Sequence, residues 1–181
     1  VELRDEDGIS HGSIGIYQDI TARKQAEQAV RESEEKYRHL FENAPIGIFQ
    51  STPQGRYLSV NPALAQIFKY DSPGGLIDQV TDIARQIHVD PTQRERFIKI
   101  LADEGEIKEF INQNKRKDGS IIWTSTNARV VRDASGEIQY YEGFMTDITE
   151  RKQAEEVLRE NEARYRNLFE DSPISLWEED F

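Results

Sequence analysis

The sequence contains no cysteine. That excludes disulfides, thiolate metal sites, cysteine nucleophiles and cysteine-linked chromophores in one step. It also agrees with a reducing compartment, and a cytoplasmic setting is the expectation. Nowhere does an apolar run approach the ~18 residues that would span a bilayer, and no signal-peptide pattern opens the chain. Starting at Val1, it reads as an interior piece of a longer protein. Positive charge is scarce: 23 Lys and Arg stand against 34 Asp and Glu, for a net charge of −11. Such a chain repels phosphate backbones and anionic membrane surfaces, so neither nucleic acid nor membrane insertion is expected. The short basic stretch Asn114-Lys115-Arg116-Lys117 abuts a turn signal and reads as solvated surface. The three histidines, His11, His39 and His88, lie in different segments without a partner nucleophile or base at a recognised spacing. With carboxylates scattered along charged stretches, no catalytic group and no metal site is expected, and this piece does not read as an enzyme.

What the sequence does have is a repeat. Gly15-Ile-Tyr-Gln-Asp-Ile20 returns as Gly143-Phe-Met-Thr-Asp-Ile148, 128 positions further on. The register holds without a gap. Arg23-Lys24-Gln25-Ala26-Glu27 pairs with Arg151-Lys152-Gln153-Ala154-Glu155, Leu40-Phe41-Glu42 with Leu168-Phe169-Glu170, and Pro45-Ile46 with Pro173-Ile174. The chain thus holds one whole unit, the tail of a preceding one and the head of a next. Residues 1–21 read as the closing strands of the first copy and 22–42 as a linker helix. The complete domain runs 43–149, a second helix runs 150–170, and 171–181 begin another copy.

Within the whole copy, Ile46–Gln50 and Tyr57–Val60 are short strands joined by the turn Thr52-Pro53-Gln54-Gly55. Asn61-Pro62 supplies a helix N-cap followed by proline at the first helical position. Asp71-Ser72-Pro73-Gly74-Gly75 reads as a turn, 76–88 as short helical pieces, and Asp90-Pro91 opens a helix that stops near Gly105. Residues 106–117, 120–132 and 137–148 are three strands linked by the turns Lys117-Asp118-Gly119 and Asp133-Ala134-Ser135-Gly136. The order predicts an α+β fold with one antiparallel sheet and helices over one face. At its end, Asp147-Ile148-Thr149-Glu150 fits a capping box with Asp147 at the N-cap.

The connecting helices carry a heptad seam. Ala26, Val30, Ser33, Tyr37 and Leu40 are spaced 4, 3, 4, 3, as are Ala154, Leu158, Asn161, Tyr165 and Leu168. Each holds about three heptads, short for an isolated helix, so a second copy of the chain is the expected partner along the seam. The alternative is an amphipathic helix folding back on its own domain.

The layout and several local motifs resemble the PAS sensory domain with its C-terminal PAC segment. The resemblance rests on Tyr37, Leu40, Phe41, Glu42, Ala44, Pro45 and Ile46 at the head, and on Asn61-Pro62 with Phe68. It rests also on Asp118-Gly119-Ser120-Ile121-Ile122-Trp123, and on Gly143 with Asp147-Ile148-Thr149. It covers residues 37–149. Gly74-Gly75 depart from it, where such domains often carry helix formers, and this puts the second short helix in question. The resemblance implies a five-stranded sheet cupped by helices, often around a small ligand. It also implies an array regulating a downstream enzyme, with a histidine kinase first and a diguanylate cyclase second. The faces bearing Asn112 and Asn114, Thr124 and Thr126, Tyr141 and Met145 would then point at the helices, together with Ile48. Phe68, Ile83, Ile87 and Phe97 would form the opposite wall. Asp147 and Thr149 would be the junction through which a change in the sheet reaches the helix. Two readings stay open: a pocket for a small polar ligand, or a filled core with satisfied amides and hydroxyls in a ligand-free dimerisation and relay spacer. No particular cofactor is implied. Flavin finds weak support in Trp123, and haem would need His88, which reads as a packed histidine.

Overall fold

The computed structural model describes residues 2–4, 6–7, 10–13 and 21–170. Two compact units divide the chain at residues 40 and 41. In the first, β1 (Glu2–Arg4) and β2 (Ser10–Ser13) pair as an antiparallel hairpin, and helix α1 (Thr21–Asn43) begins. The rest of the closing strands expected at 1–21, residues 14–20, falls outside the described residues, as does the expected start of a next copy at 171–181. Pairs four apart, Arg23 to Glu27 at 2.7 Å and Arg31 to Glu35 at 3.0 Å, lace the surface of α1.

The second unit is built on a five-stranded antiparallel sheet. Strands β3 (Gly47–Ser51), β4 (Tyr57–Val60), β5 (Glu106–Lys115), β6 (Ile121–Arg132) and β7 (Ile138–Asp147) take the order β4-β3-β7-β6-β5. The last-formed strand therefore sits at the centre, between the two hairpins. Helices α2 (Pro62–Ile67), α3 (Pro73–Gln79), α4 (Ile83–Gln86) and α5 (Thr92–Glu104) connect β4 to β5. Helix α6 (Thr149–Glu170) continues the chain from β7.

The anticipated α+β architecture is present, and local rules explain most of its joints. Asn61 caps α2 and Pro62 occupies its first turn. Gly105 ends α5 with φ of 80°, a left-handed conformation that glycine adopts without strain. One expectation is corrected: residues 71–75 do not form a plain turn. Ser72 caps a helix there, its hydroxyl accepting from Gly75 N–H at 3.0 Å, and Pro73 presets the first turn. These two features, with the burial of Leu76, offset the cost of about 1 kcal/mol each of Gly74 and Gly75 in a helix.

Strand alternation decides which residues meet the helices. On β6, Ile122, Thr124, Thr126 and Ala128 are buried at a strict spacing of two. On β5 the buried residues are Ile107, Phe110, Asn112 and Asn114. The step of three between Ile107 and Phe110 is a bulge, with Glu109 at φ of 51°. Without it, the amides of Asn112 and Asn114 would point to the other face. Gly143 on β7 is required by close approach: a Cβ there would lie 2.2 Å from Asn127 O and 2.8 Å from Ala128 Cα.

Candidate functional site

The inner face of the sheet, α4 and α5 enclose a cavity of about 20 Å³, room for about one water molecule. Its wall carries Ser51, Tyr57, His88, Arg94, Asn112, Asn114 and Thr126 among apolar side chains. Of the residues expected at a pocket, Ile83, Ile87, Phe97, Asn112, Asn114, Thr126 and Met145 line it. Phe68, Thr124 and Tyr141 are buried in the core beside it without lining it. Ile48 is misplaced by the expectation. It pairs with Phe144, which is 44% exposed, so it lies on the outer face of the sheet. Its neighbours Phe49 and Ser51 take the inner positions, because Gly47 faces Leu64 of α2 and two-residue alternation then turns Ile48 outward.

The amides and hydroxyl largely satisfy one another. Asn112 Nδ2 donates to Asn114 Oδ1 at 3.0 Å, Asn114 Nδ2 to Thr124 Oγ1 at 2.8 Å, and Thr124 Oγ1 back to Asn112 Oδ1 at 3.2 Å. This closed ring keeps three buried polar side chains paired inside a protein interior. Asn112 Nδ2 also reaches His88 Nδ1 at 2.7 Å. An amide nitrogen only donates, so Nδ1 accepts and the neutral imidazole carries its proton on Nε2. His88 is 6% exposed, and its pKa is pulled down to about 4. Burial is the main cause, the Arg94 charge adds to it, and Asp90 opposes.

Arg94 is the residue that the sequence reading missed. It is 6% exposed and packs its guanidinium 5.4 Å from the Phe97 ring centroid and 5.7 Å from that of Tyr141. Nη2 donates to Thr52 O at 3.2 Å and lies 3.5 Å from Ser51 Oγ. Nε has no hydrogen-bond partner, and among the described residues no carboxylate pairs with it. Burial lowers its pKa. Spacing could have found it, since Arg94, Phe97 and Leu101 fall on one face of α5 and all three are buried. Tyr57, like His88, is held neutral, its phenol pKa raised by burial.

A second polar node joins the sheet to α6. Asp147 Oδ1 accepts from Thr149 N–H at 2.9 Å and from Thr149 Oγ1 at 2.6 Å. Its Oδ2 takes the Arg116 Nη2 at 2.6 Å, and Arg116 Nε donates to Ile67 O, in α2, at 2.8 Å. Thr149 Oγ1 accepts from Trp123 N–H at 3.0 Å, while Ile148 N–H donates to Trp123 O at 2.9 Å. Asp147 and Thr149 are therefore brought together as expected, although the capping box is not the device. Lys152 N–H bonds Ile148 O at 2.9 Å, so Ile148 is the N-cap and Asp147 stands one residue before it, closing a turn. Sequence reading treated Arg116 as solvated turn, yet it bridges α2 to this node.

The seam residues of the connecting helices are all exposed where their side chains are described. Val30 is 58% exposed and Leu40 61%; Tyr37, Leu158 and Tyr165 are similar, and Ala26, Ser33, Ala154 and Asn161 are open as well. The Leu168 side chain lies outside the described residues. No described helix is long and apolar enough to cross a membrane.

Comparison with known proteins places this geometry. The two-component sensor PprA of Pseudomonas aeruginosa is 28% identical over 177 residues, covering 93% of this chain and 18% of that protein. Sporulation kinase E of Bacillus subtilis is 27% identical over 165 residues, covering 91% of this chain and 21% of that protein. This chain thus spans about a fifth of such relatives. Among solved structures, the PAS domain of a protein from Colwellia psychrerythraea superposes with a TM-score of 0.56 at 20% identity, covering 65% of this chain and 98% of that one. A sensory box histidine kinase/response regulator from Burkholderia thailandensis gives 0.55 at 22% identity, covering 74% and 99%. A family model described as PAS domain matches residues 45–150. With the central β7, the helices between β4 and β5 and the node at Asp147 and Thr149 all falling within that match, the chain belongs to the PAS domain family.

Proposed function

We propose that the chain is a sensory module of a multidomain bacterial signalling protein. A small ligand in the core cavity shifts the sheet, and the node at Asp147 and Thr149 passes the shift to α6 and onward to an output domain. Likeness to a two-component sensor and to a sporulation kinase favours a histidine kinase as that output, with a diguanylate cyclase second. The observation that carries the relay is the Arg116–Asp147–Thr149 node. It ties α2, β6, β7 and α6 at one point by hydrogen bonds of 2.6–3.0 Å, half-buried from solvent. Motion of the core relative to the sheet therefore bears directly on the first turn of α6. The exposed seams of α1 and α6 fit a parallel homodimer, the arrangement that would let two such helices act together.

The test has two arms. Hydrogen exchange on Asp147→Ala is expected to show faster exchange through the first turn of α6 and an altered output in the full-length protein. Unchanged output would remove the relay. Absorption spectroscopy with native mass spectrometry of the purified chain asks for the ligand: a visible band or an added mass supports it. The small cavity favours a second reading, a ligand-free dimerisation and relay spacer, and the absence of both signals would select it. Sedimentation at high micromolar concentration tests the dimer, and a monomer there would refute it.

A further inference from the structure

A charge stands in the core with no carboxylate in contact with it among the described residues. Burying an ammonium or guanidinium alone costs several kcal/mol even after relaxation, and proteins ordinarily meet it with a carboxylate. Among the described residues no carboxylate touches Arg94: Asp82 acts on it only through its charge at longer range, and the direct contacts are a carbonyl at 3.2 Å, a weak hydroxyl contact and two aromatic faces. Its Nε is the one buried side-chain polar atom without a partner among the described residues. On a planar guanidinium, Nε–H and one Nη2–H lie along the same edge, spaced to receive the two oxygens of a carboxylate. On that edge Nε–H is open, while Nη2 reaches Thr52 O and, weakly, Ser51 Oγ.

We infer that the cavity beside Arg94 is a site for a compact monocarboxylate of one or two carbons. The inference rests on the ligand-binding reading above and names its chemical class. The single charge sets the valence: His88 and Tyr57 are both neutral, so a dianion such as phosphate would leave net negative charge buried. Neutral donors complete the cradle, with the Ser51 hydroxyl, the Thr126 hydroxyl and His88 in the same wall. The apolar remainder, Phe49, Ile83 and Met145 among it, suits a methyl or hydrogen substituent. Size sets the upper limit. At about 20 Å³ the cavity has room for about one water molecule, so formate enters only as side chains yield, acetate needs a larger shift, and a longer acid is excluded. The unbranched Met145 is the side chain best able to yield.

The test uses the whole 181-residue chain in HEPES, with ionic strength held by sodium HEPES, titrated with sodium formate, acetate and benzoate. The readouts are the thermal midpoint and the Arg94 Nε–Hε resonance. Formate and acetate are expected to raise the midpoint saturably by several degrees and to move that resonance. Benzoate is expected to bind at least tenfold more weakly. Arg94→Met is expected to lose the response at least tenfold while standing at least as firmly as the parent in carboxylate-free buffer, because an unpaired buried charge has gone. The proposal is overturned if neither readout changes up to 100 mM formate, if Arg94→Met responds like the parent, or if benzoate matches formate. Should Arg94→Met fail to fold, the resonance in the parent chain decides alone. A negative result while Asp147→Ala still loosens α6 removes the carboxylate and leaves the relay standing.

Discussion

Asn61 is the side chain on which most of the local architecture converges, and its replacement gives the sharpest test of the fold. It is fully buried. Oδ1 accepts from Ile48 N–H at 2.8 Å and Leu64 N–H at 3.0 Å, and Nδ2 donates to Phe41 O at 3.1 Å and Ile46 O at 2.9 Å. One amide thus caps α2, pins the start of β3 and holds the end of α1. In Asn61→Ala the lost cap costs about 1 kcal/mol. Ile48 N–H, left without its acceptor, adds about 1–3 kcal/mol. The two carbonyls and the small void bring the total to about 4 kcal/mol, a large fraction of the 5–15 kcal/mol typical of a domain. Urea denaturation, comparing midpoints at unchanged slope, measures it. Asn61→Asp separates the terms. It keeps both acceptor contacts but sets a second oxygen against two carbonyl oxygens, which raises the new carboxyl's pKa in the folded state. Its stability is then present below the unfolded carboxylate pKa and lost as pH rises through the raised folded value. The stability gap between the Asn61→Asp variant and the parent should therefore widen from about pH 4 to about pH 7. A loss under about 1 kcal/mol in Asn61→Ala, or a pH-independent gap in Asn61→Asp, would refute the account.

Other outcomes follow from the same geometry. His88, neutral with a folded pKa of about 4, contributes stability above the unfolded value of 6.5 that is lost as pH falls towards 4. The loss is about 3 kcal/mol at most, and it should vanish in His88→Phe when the two are compared by denaturation across that window. Its charged neighbours, Arg94 on α5 and Asp90 just after it, act in opposite directions, so Arg94→Met should also raise the His88 pKa seen by NMR. Asp147→Ala breaks a half-buried ion pair and the turn that precedes α6, and should cost about 1–3 kcal/mol in chemical denaturation. Gly143→Ala drives a methyl into Asn127 O and Ala128 Cα, backbone that cannot step aside, and should lower the thermal midpoint by the equivalent of at least about 2 kcal/mol.

Much of the fold is legible before any coordinates. The Asn61-Pro62 cap, the glycine that ends α5, the Asp-Gly turn between β5 and β6, and the two-residue alternation of β6 are consequences of local chemistry, which acts over a few residues. Where local signals compete, the reading fails. At Gly74-Gly75 the glycine cost is visible in the sequence, but the Ser72 cap, Pro73 and the burial of Leu76 together offset it. At Ile48 an apolar side chain suggests the core, but Gly47, packed on Leu64 of α2, sets the alternation and turns Ile48 outward.

The candidate site is legible as a set of residue types and not as a set of partners. Alternation brings Asn112, Asn114, Thr124 and Thr126 to one face, yet only the packed sheet closes the first three into a ring and so removes them as ligand hooks. Arg94 and Arg116 read as surface charge, because composition treats arginine as solvated. Near-neighbour chemistry is enough to read the order of the strands, the Asn61 cap, the hairpin turns, the missing thiol chemistry and the heptad spacing of the connecting helices, since each depends on a few adjacent residues or on simple presence. Packing is what places β7 at the centre, lets Arg116 tie α2 to the start of α6, and buries Arg94 with no carboxylate touching it among the described residues. Those facts depend on residues dozens of positions apart, and only packing brings them into contact.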